Sequence, residues 1–275
     1  MRSKLMGKVI IALVAVSVMA FFGCKRESGK KVVVKGSTTV LPITQKAAEI
    51  FKEKEDISVS IEGSGSGNGI KALLDGTTDI ANASRAMKDK ELDAAQKKGL
   101  KIKEIVCAFD MIVPVVHPSN GVKNLTLDQM KGIYDGSITN WKQVGGKDEN
   151  IVVISRDTSS GTYEVWHKLV LKKADVRKDA LLQASNGAVV SAVAENPKAI
   201  GYIGFGYISE SVKPLMVNSI EGTIENGKSG KYPISRKLFM YVNENQYSEE
   251  AKSFVDFILS DEGQKIVKEV GYIPL

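Results

Sequence analysis

Histidine and cysteine are scarce in this chain of 275 residues, which contains only two of each. His117 and His167 stand beside a proline and a lysine, and no cluster of His, Cys and Asp has the spacing of metal ligands. No serine lies in the Gly-x-Ser-x-Gly elbow of the hydrolases. We therefore expect no metal, no cofactor and no catalytic residue, and the sequence argues against an enzyme.

The usual nucleotide-binding motifs are also missing. A P-loop needs Gly-Lys-Ser/Thr after four spacer residues, but Gly69 is followed by Ile70-Lys71-Ala72. The dinucleotide fingerprint fails because Asn68 stands five residues beyond Gly63 and Ile70 stands five beyond Gly65. The glycines must therefore serve another purpose.

The chain lacks a block of charge of one sign. Its formal net charge is +6, and loss of the N-terminal Arg2, Lys4 and Lys8 would reduce this to +3. Lysines are scattered among acids, and aromatic residues make up only 7% of the chain. This pattern does not favour a nucleic-acid partner, which would need a basic stripe with interleaved aromatic residues.

The N-terminus has the pattern of an export signal. The three basic residues precede an apolar run from residue 9 to 22, which is too short and too abruptly followed by charge to predict a membrane-spanning helix. Gly23 before Cys24 resembles the lipobox of bacterial lipoproteins, in which the cysteine carries the lipid. We predict a signal peptide over 1–23 and a lipidated Cys24 with a tether over 24–31; the alternative is a plain signal anchor.

With Cys24 lipidated, Cys107 would be the only free thiol. It lies in the apolar run from Ile105 to Phe109. We therefore predict that it is buried as a small hydrophobic residue and that the protein has no disulfide.

Strand, loop and helix patterns alternate from Val32 onward, which predicts an α/β fold with a mostly parallel sheet. Within this order we expect a turn over 63–69 before a helix, a strand over 188–194 and a helix over 199–205. Two long extended runs, near 105–116 and 233–242, separate a middle block from both ends. We predict one lobe from 32–113 and 236–275, a second from 114–235, and a ligand cleft between them.

Four loops are rich in small and hydroxyl residues, and at least three run into a helical pattern. They are Gly36-Ser37-Thr38-Thr39, Gly63-Ser64-Gly65-Ser66-Gly67, Ala83-Ser84-Arg85 and Arg156-Asp157-Thr158-Ser159-Ser160-Gly161-Thr162. Each could simply cap a helix or form a turn. Free N–H groups at helix starts also bind anions, and the guanidinium groups of Arg85 and Arg156 suit a tetrahedral oxyanion. Together the loops predict one oxyanion site.

These loops and several other segments resemble the phosphate-binding lipoproteins of the bacterial high-affinity phosphate ABC transporter, which have a two-lobed type II periplasmic-binding-protein fold with two hinge crossovers. The resemblance covers essentially the whole mature chain. Besides the four loops, the matching segments are Asp79-Ile80-Ala81-Asn82, Leu125-Thr126-Leu127, Ile133-Tyr134-Asp135-Gly136-Ser137-Ile138-Thr139-Asn140-Trp141 and Ala199-Ile200-Gly201-Tyr202-Ile203.

The resemblance implies that the protein captures inorganic phosphate outside the cytoplasm and delivers it to a permease, held at the membrane by its lipid; we expect a monomer. The implied phosphate-binding residues are Ser37, Thr38, Thr39, Ser66, Ser84, Arg85, Arg156, Ser160, Gly161 and Thr162.

The best-known branch of the family has an aspartate where this chain has Arg85, and that carboxylate accepts the proton of phosphate and so rejects sulfate. Asp157 and hydroxyl oxygens are the candidate acceptors here. The alternatives are the same fold binding sulfate or another oxyanion, a secreted phosphatase, or a surface adhesin or structural lipoprotein with a degenerate cleft.

Overall fold

The structure is a computed structural model that describes residues 30–275. The predicted signal peptide, Cys24 and the tether up to residue 29 lie outside the described residues. The predicted end of the tether was wrong by one residue, because Lys31 already pairs with Ser58 in the sheet. Among those residues, no helix combines the length and the apolar character needed to cross a membrane.

The N-terminal part alternates strands and helices as predicted. Its elements are β1 (Lys31–Gly36), α1 (Leu41–Glu55), β2 (Ser58–Gly63), α2 (Ser66–Leu74), β3 (Ile80–Ala83) and α3 (Asp89–Lys97). Strand β1 pairs in parallel with both β2 and β3. The loops after these parallel strands therefore meet at one edge of the sheet, which brings the first three hydroxyl loops together.

A single long strand, β4 (Ile102–Val116), runs through both parts of the molecule. The antiparallel partner of residues 102–111 is β11 (Ser235–Asn243), which also pairs with β3, whereas residues 112–116 pair with β8 (Ala199–Gly204). The two extended runs predicted from the sequence are thus neighbouring strands, and the sheet is continuous from one part to the other.

The middle of the chain builds the other half of this sheet. Its elements before β8 are β5 (Asn124–Leu125), α4 (Leu127–Asp135), β6 (Val152–Arg156), α5 (Gly161–Leu169), β7 (Leu181–Gln183) and α6 (Asn186–Ala194). The elements after β8 are β9 (Lys213–Pro214), β10 (Met216–Val217), α7 (Ile224–Lys228), β11, α8 (Glu249–Leu259) and α9 (Asp261–Glu269). The sheet order is β2-β1-β3-β11-β4-β8-β6-β7, with β9 added beside β4.

The buried apolar side chains form two large clusters. One includes Val32, Phe51 and Phe254, and the other includes Trp141, Trp166 and Tyr202. Along β4 the membership changes between Ala108 and Met111. We call the part of the molecule around the first cluster the first lobe and the part around the second cluster the second lobe. The predicted lobe boundaries at 113/114 and 235/236 stay a prediction.

Two predicted elements were wrong. Residues 188–194 belong to helix α6, because Ser185 caps it through a hydrogen bond from Ala188 N (3.0 Å) and Val189 and Val193 face the core one turn apart. Residues 199–204 form the fully buried strand β8. A short apolar run has no periodicity that separates a helix from a strand.

The helix after the second glycine loop also starts earlier than predicted. Helix α2 begins at Ser66, inside the segment expected to be a turn. Gly65 precedes it with φ 97°, a conformation that favours glycine, so the glycines permit the sharp entry into the helix.

Candidate anion site

The starts of several helices from both lobes meet at one place. The turn before α1 carries Thr39, and the first residues of α2, α5 and α6 are Ser66, Gly161 and Asn186. Asn186 donates to Thr39 Oγ1 (3.1 Å), and a β-carbon on Gly161 would lie 2.3 Å from Ser66 Oγ. Because the first turn of a helix has N–H groups without intrahelical partners and a positive dipole end, this convergence favours an anion.

Hydroxyl groups touch directly, across the lobes in one pair and within the first lobe in the other. Thr39 Oγ1 lies 3.0 Å from Thr162 Oγ1, and Ser66 Oγ lies 3.3 Å from Ser84 Oγ. All four residues are at most 1% exposed. The structure therefore brings four of the predicted residues into one buried cluster, which we call the hydroxyl cluster (Thr39, Ser66, Ser84 and Thr162).

Arg156 is buried at the end of β6, only 1% exposed. Its guanidinium donates to the carbonyl oxygens of Gln183 (3.0 Å) and Ala184 (2.9 Å), while Nη1 is buried without a hydrogen-bond partner. Among the described residues, none of the ion pairs involves Arg156. Burial lowers its pKa, although the nearby Tyr202 and Asp157 act in the opposite direction. A buried cation with a free donor is costly unless an anion comes to it.

Arg236 was missed by the sequence reasoning, although it contacts the hydroxyl cluster. Its guanidinium donates to Thr162 Oγ1 (3.1 Å), Thr39 Oγ1 (3.3 Å) and the Ser84 carbonyl oxygen (3.3 Å). The available signal was a pair of adjacent basic residues, Arg236 and Lys237, near the start of a long extended run.

Asp110 holds Arg236 in place. The two residues are register partners on the paired strands β4 and β11, and Asp110 Oδ2 accepts from Arg236 Nε (2.8 Å) and Nη2 (2.7 Å). Asp110 Oδ1 accepts from the backbone N–H of Phe205 (2.9 Å). Burial raises the pKa of Asp110, and the neighbouring guanidinium works against that rise. The pair thus fixes a cation beside the hydroxyl cluster.

Asn186 was missed as well. Its Oδ1 accepts from the backbone N–H of Gly204 (3.2 Å), and its Nδ2 donates to Thr38 Oγ1 (3.2 Å) and Thr39 Oγ1 (3.1 Å). The residue is fully buried. It therefore connects the first residue of α6 in the second lobe with the first hydroxyl loop.

Arg85 faces a different set of partners. Its two terminal nitrogens donate to Glu91 (both 2.8 Å), and Nη1 also donates to the Ala86 carbonyl oxygen (2.9 Å). Among the described residues, no hydrogen bond joins Arg85 to the hydroxyl cluster, though a β-carbon on Gly67 would lie 3.8 Å from its Nη2.

Two predicted serines hold backbone N–H groups, Ser37 in the turn before α1 and Ser160 as the cap of α5. Ser37 Oγ accepts from the backbone N–H groups of Thr39 (3.1 Å) and Val40 (3.4 Å), and Ser160 Oγ accepts from Tyr163 N (3.2 Å). Asp157, a candidate acceptor for the phosphate proton, instead accepts from Ser159 N (2.8 Å). These contacts shape the loops.

Further contacts join the lobes around the cluster. Gly67 N donates to the Ser159 carbonyl oxygen (2.9 Å), Tyr207 donates to the Thr38 carbonyl oxygen (2.6 Å), and Lys88 forms an ion pair with Glu164. Burial raises the pKa of Tyr207 to about 12. The structure therefore has its two lobes in contact over the site.

A cavity of about 470 Å³ opens beside the cluster and is lined by both lobes. Its charged lining residues are Arg85, Lys88, Glu164, Lys168, Arg236 and Lys237. No ion pair among the described residues includes Lys168 or Lys237. The cavity thus presents an excess of positive charge next to the buried hydroxyls.

In the part of the chain that the structure describes, histidines and acids do not cluster into a metal site. His117 contacts Ser119 (2.8 Å) and His167 stacks on Tyr163 with centroids 5.6 Å apart. No group of three or more His, Cys, Asp or Glu residues within 30–275 could hold a metal ion.

The sequence has clear relatives. Residues 25–262 match the model of the PBP superfamily domain. The phosphate-binding protein PstS of Borreliella burgdorferi is 35% identical over 98% of this chain and 99% of its own length. PstS of Bacillus subtilis is 32% identical over 92% of this chain and 83% of its own length.

Solved structures agree with this relationship. A substrate-binding protein assigned to a phosphate ABC transporter of Clostridium perfringens, solved with bound phosphate, is 39% identical, with a TM-score of 0.85 over 90% of this chain and 100% of that one. An ABC-type phosphate transport receptor from Vibrio cholerae is 34% identical, with a TM-score of 0.73 over 89% of this chain and 100% of that one. The α/β fold with two lobes is therefore confirmed.

Proposed function

Because the chain belongs to the PBP superfamily and, within it, to the family of the phosphate-binding proteins PstS, we propose that it binds inorganic phosphate between its lobes and delivers it to the permease of an ABC transporter. The buried, unpaired Nη1 of Arg156 is the observation that carries the proposal. The guanidinium is bonded to the carbonyl oxygen of Ala184, just before α6, and no ion pair among the described residues includes it. No bond of the ligand has to break in this function.

Affinity comes from replacing the water shell of the anion with fixed donors. We assign this role to Arg156, the Gly161 N–H and the hydroxyls of Thr38, Ser66 and Thr162. A hydrogen bond to a charged group contributes about 1.5–3 kcal/mol. Five such bonds would give roughly 8–15 kcal/mol before the costs of desolvation and closure, and a micromolar complex needs only about 8 kcal/mol.

The remaining predicted residues support the site indirectly. Ser37 holds the turn before α1, and Ser160 caps α5. Ser84 orders Ser66 by donating its backbone N–H to Ser66 Oγ (3.0 Å). We place Arg85, with its charge paired to Glu91, in the wall of the cavity, where the unpaired charges of Lys168 and Lys237 attract the incoming anion.

The lobes give the transporter its signal. Contacts between them, such as Gly67 N with the Ser159 carbonyl oxygen, exist only when the lobes meet. A permease that makes different contacts with the open and the closed forms can therefore favour the loaded one. We propose that the protein acts as a monomer outside the cytoplasm and that a lipid on Cys24 keeps it at the membrane, which mass spectrometry of membrane-extracted protein would test.

Calorimetric titration of ligand-stripped residues 25–275 with phosphate, and separately with sulfate, tests the main proposal. We expect stoichiometric phosphate binding that weakens about 10- to 100-fold in Arg156→Ala, because its charge-assisted hydrogen bond to the anion disappears. Lys142→Ala is the matched control, since it removes one positive charge from an exposed pair with Asp148 in the same lobe. Preferred sulfate binding would reassign the ligand, and no heat with either anion would refute an oxyanion receptor.

A further inference from the structure

Thr39 stands at the centre of a set of hydrogen bonds whose directions can be assigned. Gly204 N–H can only donate, so the atom of Asn186 that faces it is the oxygen. The Asn186 amide nitrogen therefore faces Thr39 and donates to its Oγ1 at 3.1 Å. Arg236 has no acceptor atom, so its Nη2 also donates to Thr39 Oγ1, at 3.3 Å.

These two donors occupy both lone pairs of the Thr39 hydroxyl. Its proton must then point to the remaining neighbour, Thr162 Oγ1, at 3.0 Å. Thr162 Oγ1 also accepts from Arg236 Nη1 at 3.1 Å. Both lone pairs of Thr162 are therefore occupied in turn.

The Thr162 hydroxyl is left with a proton and no acceptor for it. Among the described residues, its Oγ1 has no hydrogen-bond neighbours beyond Thr39 and Arg236. The residue is 1% exposed, so solvent does not supply the acceptor. A buried hydroxyl that can only donate requires an acceptor from the ligand.

We propose that Asn186 and Arg236 are specificity-determining positioning residues that lock the Thr39 and Thr162 hydroxyls in one direction, so that the ligand oxygen bound at Thr162 must be one that carries no proton. This inference rests on the proposed function. Asp110 contributes by fixing the Arg236 guanidinium through two hydrogen bonds, and Nη1 is further held by the Ser84 carbonyl oxygen.

The second hydroxyl pair of the cluster is not locked. Ser66 Oγ accepts from Ser84 N (3.0 Å), but the bond between Ser66 Oγ and Ser84 Oγ (3.3 Å) can run in either direction. This pair can accept a hydrogen bond from the ligand or donate one. The protonated oxygen of phosphate is thereby directed to the side of Ser66 and Ser84, away from Thr162.

Asn186→Asp tests the lock by reversing its first link. The new carboxylate keeps the acceptor for Gly204 N–H but cannot donate to Thr39. The Thr39 proton then turns to the carboxylate, Thr162 donates to Thr39, and a lone pair of Thr162 faces the ligand. Phosphate can offer its proton there, whereas sulfate cannot.

The readout is the ratio of phosphate to sulfate affinity in mildly alkaline buffer, where both anions carry two charges. Charge repulsion by the new carboxylate acts equally on both anions, so the ratio reports only the hydrogen bond that the proton of phosphate can donate. We expect it to rise about 10-fold, the worth of one hydrogen bond to a charged group. Asn82→Asp is the matched control: Asn82 is also buried, and its amide donates to Thr44 (3.3 Å) instead of the cluster.

If sulfate binds too weakly for a ratio, the pH dependence of phosphate affinity decides. The ratio of phosphate affinity at acidic pH to phosphate affinity at alkaline pH should be about 10-fold higher in Asn186→Asp than in Asn82→Asp. Circular dichroism melting confirms folding of each variant. Should Asn186→Asp not fold, Thr39→Val keeps the shape, removes the relay and frees Thr162 to rotate, with an expected change of about 3-fold in the same direction.

The proposal would be overturned if folded Asn186→Asp or Thr39→Val had the same ratio of phosphate to sulfate affinity and the same pH dependence as the control Asn82→Asp. That outcome is distinguishable from failure of the proposed function, because the unaltered protein would still bind phosphate. A protein that binds no oxyanion would instead refute both.

Discussion

Gly161→Ala is the sharpest test of whether the lobes close over the site. A β-carbon at this position would lie 2.3 Å from Ser66 Oγ and 2.6 Å from Ser84 Oγ, both in the other lobe. An ordinary contact needs at least about 3.4 Å, so the lobes would have to separate by roughly 1 Å there. The two serines cannot move away freely, because Ser84 N is hydrogen-bonded to Ser66 Oγ.

The expected loss follows from the contacts that such a separation breaks. Thr39 Oγ1 to Thr162 Oγ1 (3.0 Å) and Gly67 N to the Ser159 carbonyl oxygen (2.9 Å) both bridge the lobes. Each is worth about 1 kcal/mol, and one weakened bond to the anion adds about 1.5–2 kcal/mol. The total of roughly 3.5–4 kcal/mol corresponds to about a 300- to 700-fold rise in the dissociation constant.

Calorimetry with phosphate measures this rise, and thermal unfolding of the ligand-free protein provides the second readout. Alanine is a better helix former than glycine, so the first turn of α5 should not lose stability in the open form. Gly121→Ala is the control, because a β-carbon there meets nothing within 4 Å. An unchanged dissociation constant, or a ligand-free protein destabilised as much as the liganded one, would refute the closure argument.

Three further predictions concern the surroundings of the site. Lys88→Met removes the interlobe ion pair with the partly exposed Glu164, so phosphate should dissociate about 2- to 5-fold faster in stopped-flow measurements at low salt, with the difference vanishing at high salt. Burial alone would raise the pKa of Glu91, but hydrogen bonds from Arg85 and the Lys88 N–H lower it overall. The contribution of Glu91 to the free energy of unfolding is therefore present above its unfolded-state pKa and lost as pH falls through its folded-state pKa. Glu91→Gln should reduce the loss of stability at acidic pH, and an unchanged dependence of stability on pH would contradict this. Burial raises the pKa of the Cys107 thiol to about 12. In a protein comprising residues 25–275, a thiol reagent should therefore label Cys107 only after denaturation, and rapid labelling of the native protein would contradict this.

Much of the fold could be predicted from the alternation of strands and helices. The order of the N-terminal elements and the presence of the two long extended runs follow from apolar spacing and glycine turns, whereas the pairing of those two runs is known only from the structure. The identity of 188–194 and 199–204 could not be predicted in the same way. Both segments are short and apolar, and their conformations depend on the Ser185 cap and on pairing with β4.

The site was predictable in part, because hydroxyl loops before helices have a recognisable composition. The structure brings Thr39, Ser66, Ser84 and Thr162 together, whereas Arg85 turns to Glu91. Arg236 and Asn186 lie far from those loops in sequence, and only the sheet order places them there. Their roles depend on partners that local patterns do not reveal.

The shared strand β4 also has a consequence for how the chain folds. The first lobe needs β11, α8 and α9 beside β1–β3, so more than a hundred residues separate the halves of its sheet. The second lobe comes from one contiguous stretch between the two long strands. We expect this middle stretch to acquire structure first during synthesis or refolding, because distant contacts form late. The N-terminal strands can complete their lobe only after β11, α8 and α9 are available. A C-terminal truncation would consequently harm the lobe that contains β1.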